Sequence, residues 1–308
     1  MENTRAKTTR NSLILLLTAT IWGMAFVSQS KGMDYMHPFT FNGVRSLIGA
    51  AGILVYILIS RKIAGDKAAK LDWKLNVRAG LLCGIFLTIA STLQQFGIKY
   101  TSVGKAGFIT TLYIIFVPMF GIFLKKKVAP VVWAAAGMAA VGMYLLCMTE
   151  SLRLGAGDIM VFLCAIAFAI QIMTVDHYAE RIDGAVVSCI QFTVCGVVCC
   201  IGALIWGQPT FGQLQDGLGA LLYAGVLSCG VGYTLQIVGQ KGLNPTVAAL
   251  IMSLESVIAT ISGWIAYKIG FLSTDQTLTA RQIAGCVIVF TAVILVQLPP
   301  EWFRFGKK

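Results

Sequence analysis

Long apolar stretches separated by short polar segments dominate the chain. Ten can be drawn, at roughly 12–30, 38–60, 75–98, 104–124, 130–148, 157–177, 184–206, 217–238, 246–268 and 279–298. Each is close to the roughly 20 apolar residues that a helix needs to cross about 30 Å of hydrocarbon. The first run follows Arg5, Lys7 and Arg10, a basic start like that of a signal peptide. Its apolar stretch is too long for one and nine more follow, so it reads as an uncleaved first helix. Connections are short, as at 151–157 and 240–245, and leave no room for an extramembrane domain. The pattern predicts an all-α polytopic membrane protein of ten transmembrane helices.

Composition sharpens this reading by exclusion. Hydrophobic residues make up 57% of the 308 and charged residues only 12%, half the usual share of charge in a soluble domain. So few charges cannot cover so much apolar surface in water. A soluble enzyme, a disordered chain, a secreted disulfide scaffold and a nucleic-acid binder are all disfavoured. The net charge of +11 lies in the short segments between apolar runs, which points to topology. With the N-terminus inside, 17 of the 24 Lys and Arg fall on the inner side and 6 on the outer, with Arg45 inside a span. Cations are retained on the cytoplasmic side, so both termini are expected there, in a cell membrane of the bacterial inner-membrane type. Trp73, Trp206 and Trp302 fall near span ends, where indole rings favour the interface. All nine cysteines lie within apolar runs and none forms a Cys-x-x-Cys pair, so they read as small packing residues.

The two halves of the chain resemble each other. A shift of 146 aligns Trp22 with Phe168 and Arg45 with Gln191; in later helices a shift near 141 aligns Gln95 with Gln236 and Lys99 with Gln240. Each half ends in a glycine-spaced helix, Gly137 to Gly142 and Gly285 onward. Five spans per half is an odd number, so the second half enters the bilayer from the opposite side. The expected units are residues 12–148 and 157–298, two inverted five-helix repeats with a substrate site near mid-membrane between them. Gly80 and Gly84, Ser228 and Gly232, and Ala259 and Gly263 place small residues four apart, where backbones approach closely. Helices 3 and 8 correspond in the repeat, so close packing is expected there.

Several local strings strengthen this picture: Ala19-Thr20-Ile21-Trp22-Gly23, His37-Pro38 with Arg45 beyond it, Leu254-Glu255-Ser256-Val257, and the glycine-spaced helices 5 and 10. Together with ten short spans in tandem halves, they resemble the EamA-type permeases of the drug/metabolite transporter superfamily, over about residues 12–298. The resemblance implies export or exchange of small metabolites, often amino acids or related compounds, through a central cavity. Members of that family commonly carry Gly-Glu after helices 4 and 9. This chain instead reads Leu124-Lys125-Lys126-Lys127 and Tyr267-Lys268-Ile269-Gly270-Phe271, so both glutamates are missing.

Charges inside spans are the main candidates for chemistry, because a charge at mid-bilayer normally faces protein or water. Arg45 can clamp a carboxylate or phosphate through its planar fork, or can hydrogen-bond carbonyls between helices. Glu255 can bind a proton or an amine, or can lock helices together. A pair between them is conceivable. Amides suit polar or zwitterionic solutes without a charge penalty, and Gln95, Gln191 and Gln236 are candidates alongside Gln94 and Gln171. Gln94 and Gln95 diverge by about 100° around a helix and cannot face the same way. Asn42 shares a face with Arg45. Trp22, Phe26, Tyr113, Phe116 and Tyr233 can line an apolar pocket, and Pro118 is expected to kink the fourth helix and provide a hinge.

The candidate substrate-binding set is therefore Trp22, Asn42, Arg45, Gln95, Tyr113, Gln191, Gln236 and Glu255. No catalytic residue, metal ligand or cofactor is expected. His37 and His177 lie on opposite sides of the membrane and no nucleotide-binding glycine loop is present. The expected partners are a small-molecule substrate and membrane lipid, with no nucleic acid, in a monomer or homodimer. The leading expectation is a secondary transporter exporting a small organic metabolite by alternating access. A membrane-embedded lipid-acting enzyme and a passive channel are the alternatives.

Overall fold

A computed structural model describes residues 2–65, 71–101, 103–124, 130–147, 155–272 and 277–297. Its elements are helices α1 (Glu2–Gly32), α2 (Pro38–Ala64), α3 (Trp73–Ile98), α4 (Val103–Phe123), α5 (Pro130–Cys147), α6 (Ala156–Tyr178), α7 (Gly184–Gly207), α8 (Leu218–Gly239), α9 (Pro245–Lys268) and α10 (Ala280–Gln297). A short helical turn at Phe211–Asp216 precedes α8. Among the described residues, eight helices are long and apolar enough to cross a membrane, and the apolar helices Pro130–Gly142 and Ala280–Leu295 are shorter. The cations at 67, 70, 125–127, 153, 304, 307 and 308, the Lys125-Lys126-Lys127 run and Trp302 lie outside the described residues.

Helix starts follow local chemistry. His37 and Asn244 each cap a helix whose first residue is proline, a position where the missing N–H costs nothing. Asp72 accepts from the backbone N–H of Leu75, and Asp183 from those of Ala185 and Val186, at the starts of α3 and α7. At the end of α9, Gly270 (φ +75°) lets the N–H of Phe271 reach back to the carbonyl of Ala266, 2.8 Å away. This is a Schellman termination, and it occupies the place where the resemblance led one to expect Gly-Glu.

The packing has a regular plan. α2 lies along α7, α5 along α10, and α4 along α9; α3 touches α6 and α7, while α8 touches α1 and α2. α1 lies along α9, and α6 along α4. Adding five to each helix number, or removing five, turns every one of these pairings into itself or into another of the set. Small residues make the closest approaches. A Cβ at Gly142 would lie 2.9 Å from the carbonyl oxygen of Gly285, joining α5 to α10; one at Gly225 would lie 2.9 Å from that of Arg45, joining α8 to α2. Gly80 and Gly84 of α3 seat against Ile190 and Val194 of α7, and Gly232 of α8 against Trp22 of α1. Helices 3 and 8 thus pack closely onto partners in the other half.

Outward faces remain apolar, with Leu58 61% and Leu204 74% exposed, as expected where the surroundings are hydrocarbon. Inward, one apolar cluster runs from Leu15 and Leu87 through Ile172 and Phe192 to Leu250 and Val289, with smaller clusters around Phe26, Cys83 and Phe41.

Three irregularities matter for the interior. α4 is interrupted at Leu112, between Val103–Thr111 and Tyr113–Phe123. α9 is interrupted at Ser253, between Pro245–Met252 and Leu254–Lys268. The interruption in α4 lies six residues before Pro118, not at it: Pro118 is accommodated within a continuous helical segment. The third is a π-helical run at Tyr223–Gly232 in α8, where the N–H of Tyr233 bonds the carbonyl of Ser228, five residues back. Such wide turns recur at functional sites.

Candidate functional site

A cavity opens at the centre of the bundle, walled by α1–α4 and α6–α9. Helices α5 and α10 contribute nothing to its lining. The two interrupted helices meet there. Tyr113, the first residue after the interruption of α4, donates its hydroxyl to Glu255 Oε1 at 3.1 Å, and Glu255 stands two residues past the interruption of α9. Both side chains are almost wholly buried.

Arg45 enters from α2. It is 5% exposed, its guanidinium carbon lies 5.3 Å from the ring centre of Phe41, and its Nε has no hydrogen-bond partner among the described residues. Neither of the two ion pairs among those residues includes it, so the conceivable pair with Glu255 is not formed. A cation over an aromatic face recovers about 0.5–2 kcal/mol, well short of the several kcal/mol of removing an ion from water. Arg45 thus stands at the cavity with no ion-pair partner among the described residues.

Aromatic rings form much of the remaining wall. Trp22 and Tyr233 lie 4.5 Å apart, Phe192 meets Tyr233 edge-on at 5.0 Å, and Phe168 and Phe26 complete the surface. Amides and hydroxyls punctuate it: Gln236 Nε2 donates to Gln171 Oε1 at 3.2 Å, and Gln94 Nε2 to Thr110 Oγ1 at 3.2 Å. Trp22 Nε1, Gln29 Oε1, Gln171 Nε2 and Gln236 Oε1 are buried with no partner among the described residues. An unmade buried hydrogen bond costs about 1–3 kcal/mol, so these four atoms are available for polar contacts at the cavity; others lie away from it, on Thr40, Gln191 and Gln240 among them.

Of the eight candidates from the sequence, the structure brings Trp22, Arg45, Tyr113, Gln236 and Glu255 onto this cavity. The other three lie elsewhere. Asn42 donates to the carbonyl of Ser91 at 2.8 Å, tying α2 to α3. Gln95 donates to the carbonyl of Gln29 at 3.1 Å, tying α3 to α1. Gln191 is fully buried on α7 beside Gly84, with both amide atoms unpartnered among the described residues. Gln94 takes the cavity-facing place instead of its neighbour, Gln171 joins it there, and Gln29, Ser46, Ser91, Thr110, Ser228 and Cys229 were missed as candidates. Small hydroxyls within apolar runs were the available signal for four of these. Phe116 turns away, meeting Phe162 edge-on at 5.6 Å. Among the described residues, no group of His, Cys, Asp and Glu side chains is arranged to hold a metal ion.

Near the two ends of the bundle, the starts of α1 and α6 are tied down in different ways. Asp158 accepts from Lys105 Nζ at 2.6 Å, from Thr101 at 2.8 Å and from the backbone of Gly155 at 2.9 Å. Asn11 donates to the carbonyl of Lys241 at 2.6 Å, and Lys241 Nζ to that of Ile182 at 3.2 Å. The first tie carries a charge pair and the second is built on neutral acceptors.

Comparison with known proteins gives a consistent outcome. The chain is 27% identical over 290 residues to an uncharacterized transporter of Archaeoglobus fulgidus, covering 92% of this chain and 84% of that protein. It is 24% identical to the uncharacterized transporter YwfM of Bacillus subtilis, covering 94% of each. A solved crystal structure superposes with a TM-score of 0.74 at 16% identity, over 96% of this chain and 99% of the other, which is a likeness of fold. The model of the EamA-like transporter family matches twice, over residues 10–148 and 155–298. With nearly the whole sequence matched, the chain belongs to the EamA-like transporter family of the drug/metabolite transporter superfamily and is a polytopic membrane protein.

Proposed function

We propose that this protein is a secondary transporter that exports a small organic metabolite by exposing the central cavity to one side of the membrane and then to the other. The observation that carries the reading is the meeting of Tyr113 and Glu255, from the interrupted helices α4 and α9, at a cavity walled by corresponding helices of both halves. Residues 12–148 and 157–298 are the two units, inverted with respect to each other, and the helix pairings that survive a shift of five support this. So does the position of the two interruptions, 141 residues apart, the offset that aligns Gln95 with Gln236.

Interrupted helices leave backbone groups free to change partners, and in inverted-repeat carriers they sit at the substrate site. The sequence holds no nucleotide-binding glycine loop, so the driving force is an ion gradient or the solute's own gradient. Glu255 is the group suited to carry a coupling proton. The protein resides in the cell membrane of a bacterium with both termini in the cytoplasm.

The test is an unbiased comparison of extracellular metabolites from cells with and without the protein, followed by flux of the enriched compound in proteoliposomes. Saturable flux with counterflow is expected. Conductance without saturation would replace the carrier with a channel, and conversion of an added lipid would replace it with an enzyme.

A further inference from the structure

We propose that Arg45 is the seat for the acid group of the transported solute, and that the substrate is an organic carboxylate with an apolar body of aromatic size. The proposal rests on the transporter reading above and adds the chemical class.

Among the charged residues of the cavity, Glu255 has a hydrogen-bond donor in Tyr113, whereas Arg45 has only the face of Phe41. Arg45 is nineteen-twentieths buried and lines the cavity. Its Nε lacks a partner among the described residues and neither ion pair there reaches it. A cation held this way is stabilised by whatever anion enters. A planar guanidinium matches a carboxylate with two parallel hydrogen bonds.

The charge balance selects within anions. One guanidinium neutralises one negative charge, and Glu255 lies in the same cavity. With Glu255 holding its coupling proton, a phosphate dianion would leave excess negative charge in a low-dielectric space, while a carboxylate monoanion leaves none. The body of the solute meets Trp22, Phe168, Phe192 and Tyr233, a surface for a ring or a bulky aliphatic group. Gly225 bears on the same point: with no side chain, it lets α8 close on the Arg45 backbone, fixing the helix from which the guanidinium projects.

The experiment uses the full chain, purified in detergent, and probes that share a body and differ in charge. These are 3-phenylpropanoate, 3-phenylpropanamide and 2-phenylethylamine, with indole-3-acetate, indole-3-acetamide and tryptamine as a second set. Thermal stability is read against concentration. The acids are expected to raise Tm and the amides and amines to leave it unchanged. Arg45→Gln is expected to weaken the acids tenfold or more. Equal stabilisation by amides or amines, no stabilisation by either acid at millimolar concentration, or acids acting equally on wild type and Arg45→Gln would each overturn the proposal. The comparison among probes on the wild type stands even if the variant does not fold. Metabolite release separates this proposal from its foundation. Release confined to neutral or cationic solutes overturns the acid seat and leaves transport standing, and release of carboxylic acids supports both.

Discussion

The Tyr113 hydroxyl donates to Oε1 of Glu255 across 142 positions of sequence, joining the segments that follow the two helix interruptions. It is a direct polar bridge between α4 and α9 at the cavity. Removing the hydroxyl while keeping the ring isolates its contribution. Tyr113→Phe is expected to retain fold and expression and to lower flux several-fold. Glu255→Gln is expected to leave a flux that no longer varies between pH 5.5 and 8.5 while the wild-type flux does. Proteoliposome uptake across that range is the measurement, and pH-dependent flux in the glutamine variant would remove Glu255 from coupling.

His37 sits between α1 and α2, and its Nδ1 accepts from the N–H of Phe39 at 3.4 Å. Burial and then the nearby Lys99 charge hold its pKa below the usual histidine value. The folded state therefore binds this proton less readily than the unfolded state, so its contribution is present at neutral pH and is lost as pH falls through the histidine range. Tm is expected to fall between pH 7 and 5 by more in the wild type than in His37→Asn, whose cap does not titrate. Equal slopes would contradict this.

Asp158 receives three donors at the start of α6. Replacing it with alanine removes the acceptor of all three at once. A loss of about 2 kcal/mol is expected, in the range for hydrogen bonds to a charged group, and less for Asp158→Asn, which keeps an acceptor for Thr101. Thermal unfolding in detergent reports the order of the two variants.

Cys229 lies on the cavity wall whereas Cys195 and Cys199 are buried behind it. A small methanethiosulfonate reagent is expected to block flux in the wild type and to lose its effect in Cys229→Ser, with a transported solute slowing the block. Inhibition that persists in the serine variant would locate the sensitive thiol elsewhere.

Much of this architecture is legible in the residues alone. Arg45 and Glu255 stand out because a charge within an apolar run needs a reason, and both reach the cavity. The choice between Gln94 and Gln95 was not legible. Identity and span fix that one of them faces inward, but the rotational phase of α3 is set by Gly80 and Gly84 seating on α7, a contact that local sequence does not encode. The interruption at Leu112 escaped for a related reason. Proline marks where a helix loses a donor, whereas this break sits where α4 meets α9 beside the cavity. The π-helical run in α8 likewise has no signature in its residues; within it Gly225 packs against the backbone of α2 at Arg45.

Helices α5 and α10 stand apart from the cavity and press together at Gly142 and Gly285. In the transport cycle proposed above, their junction is the axle about which the two halves rock, while the walls of the cavity lie elsewhere. A bulky residue at Gly142 would therefore jam the stroke without altering what the carrier recognises.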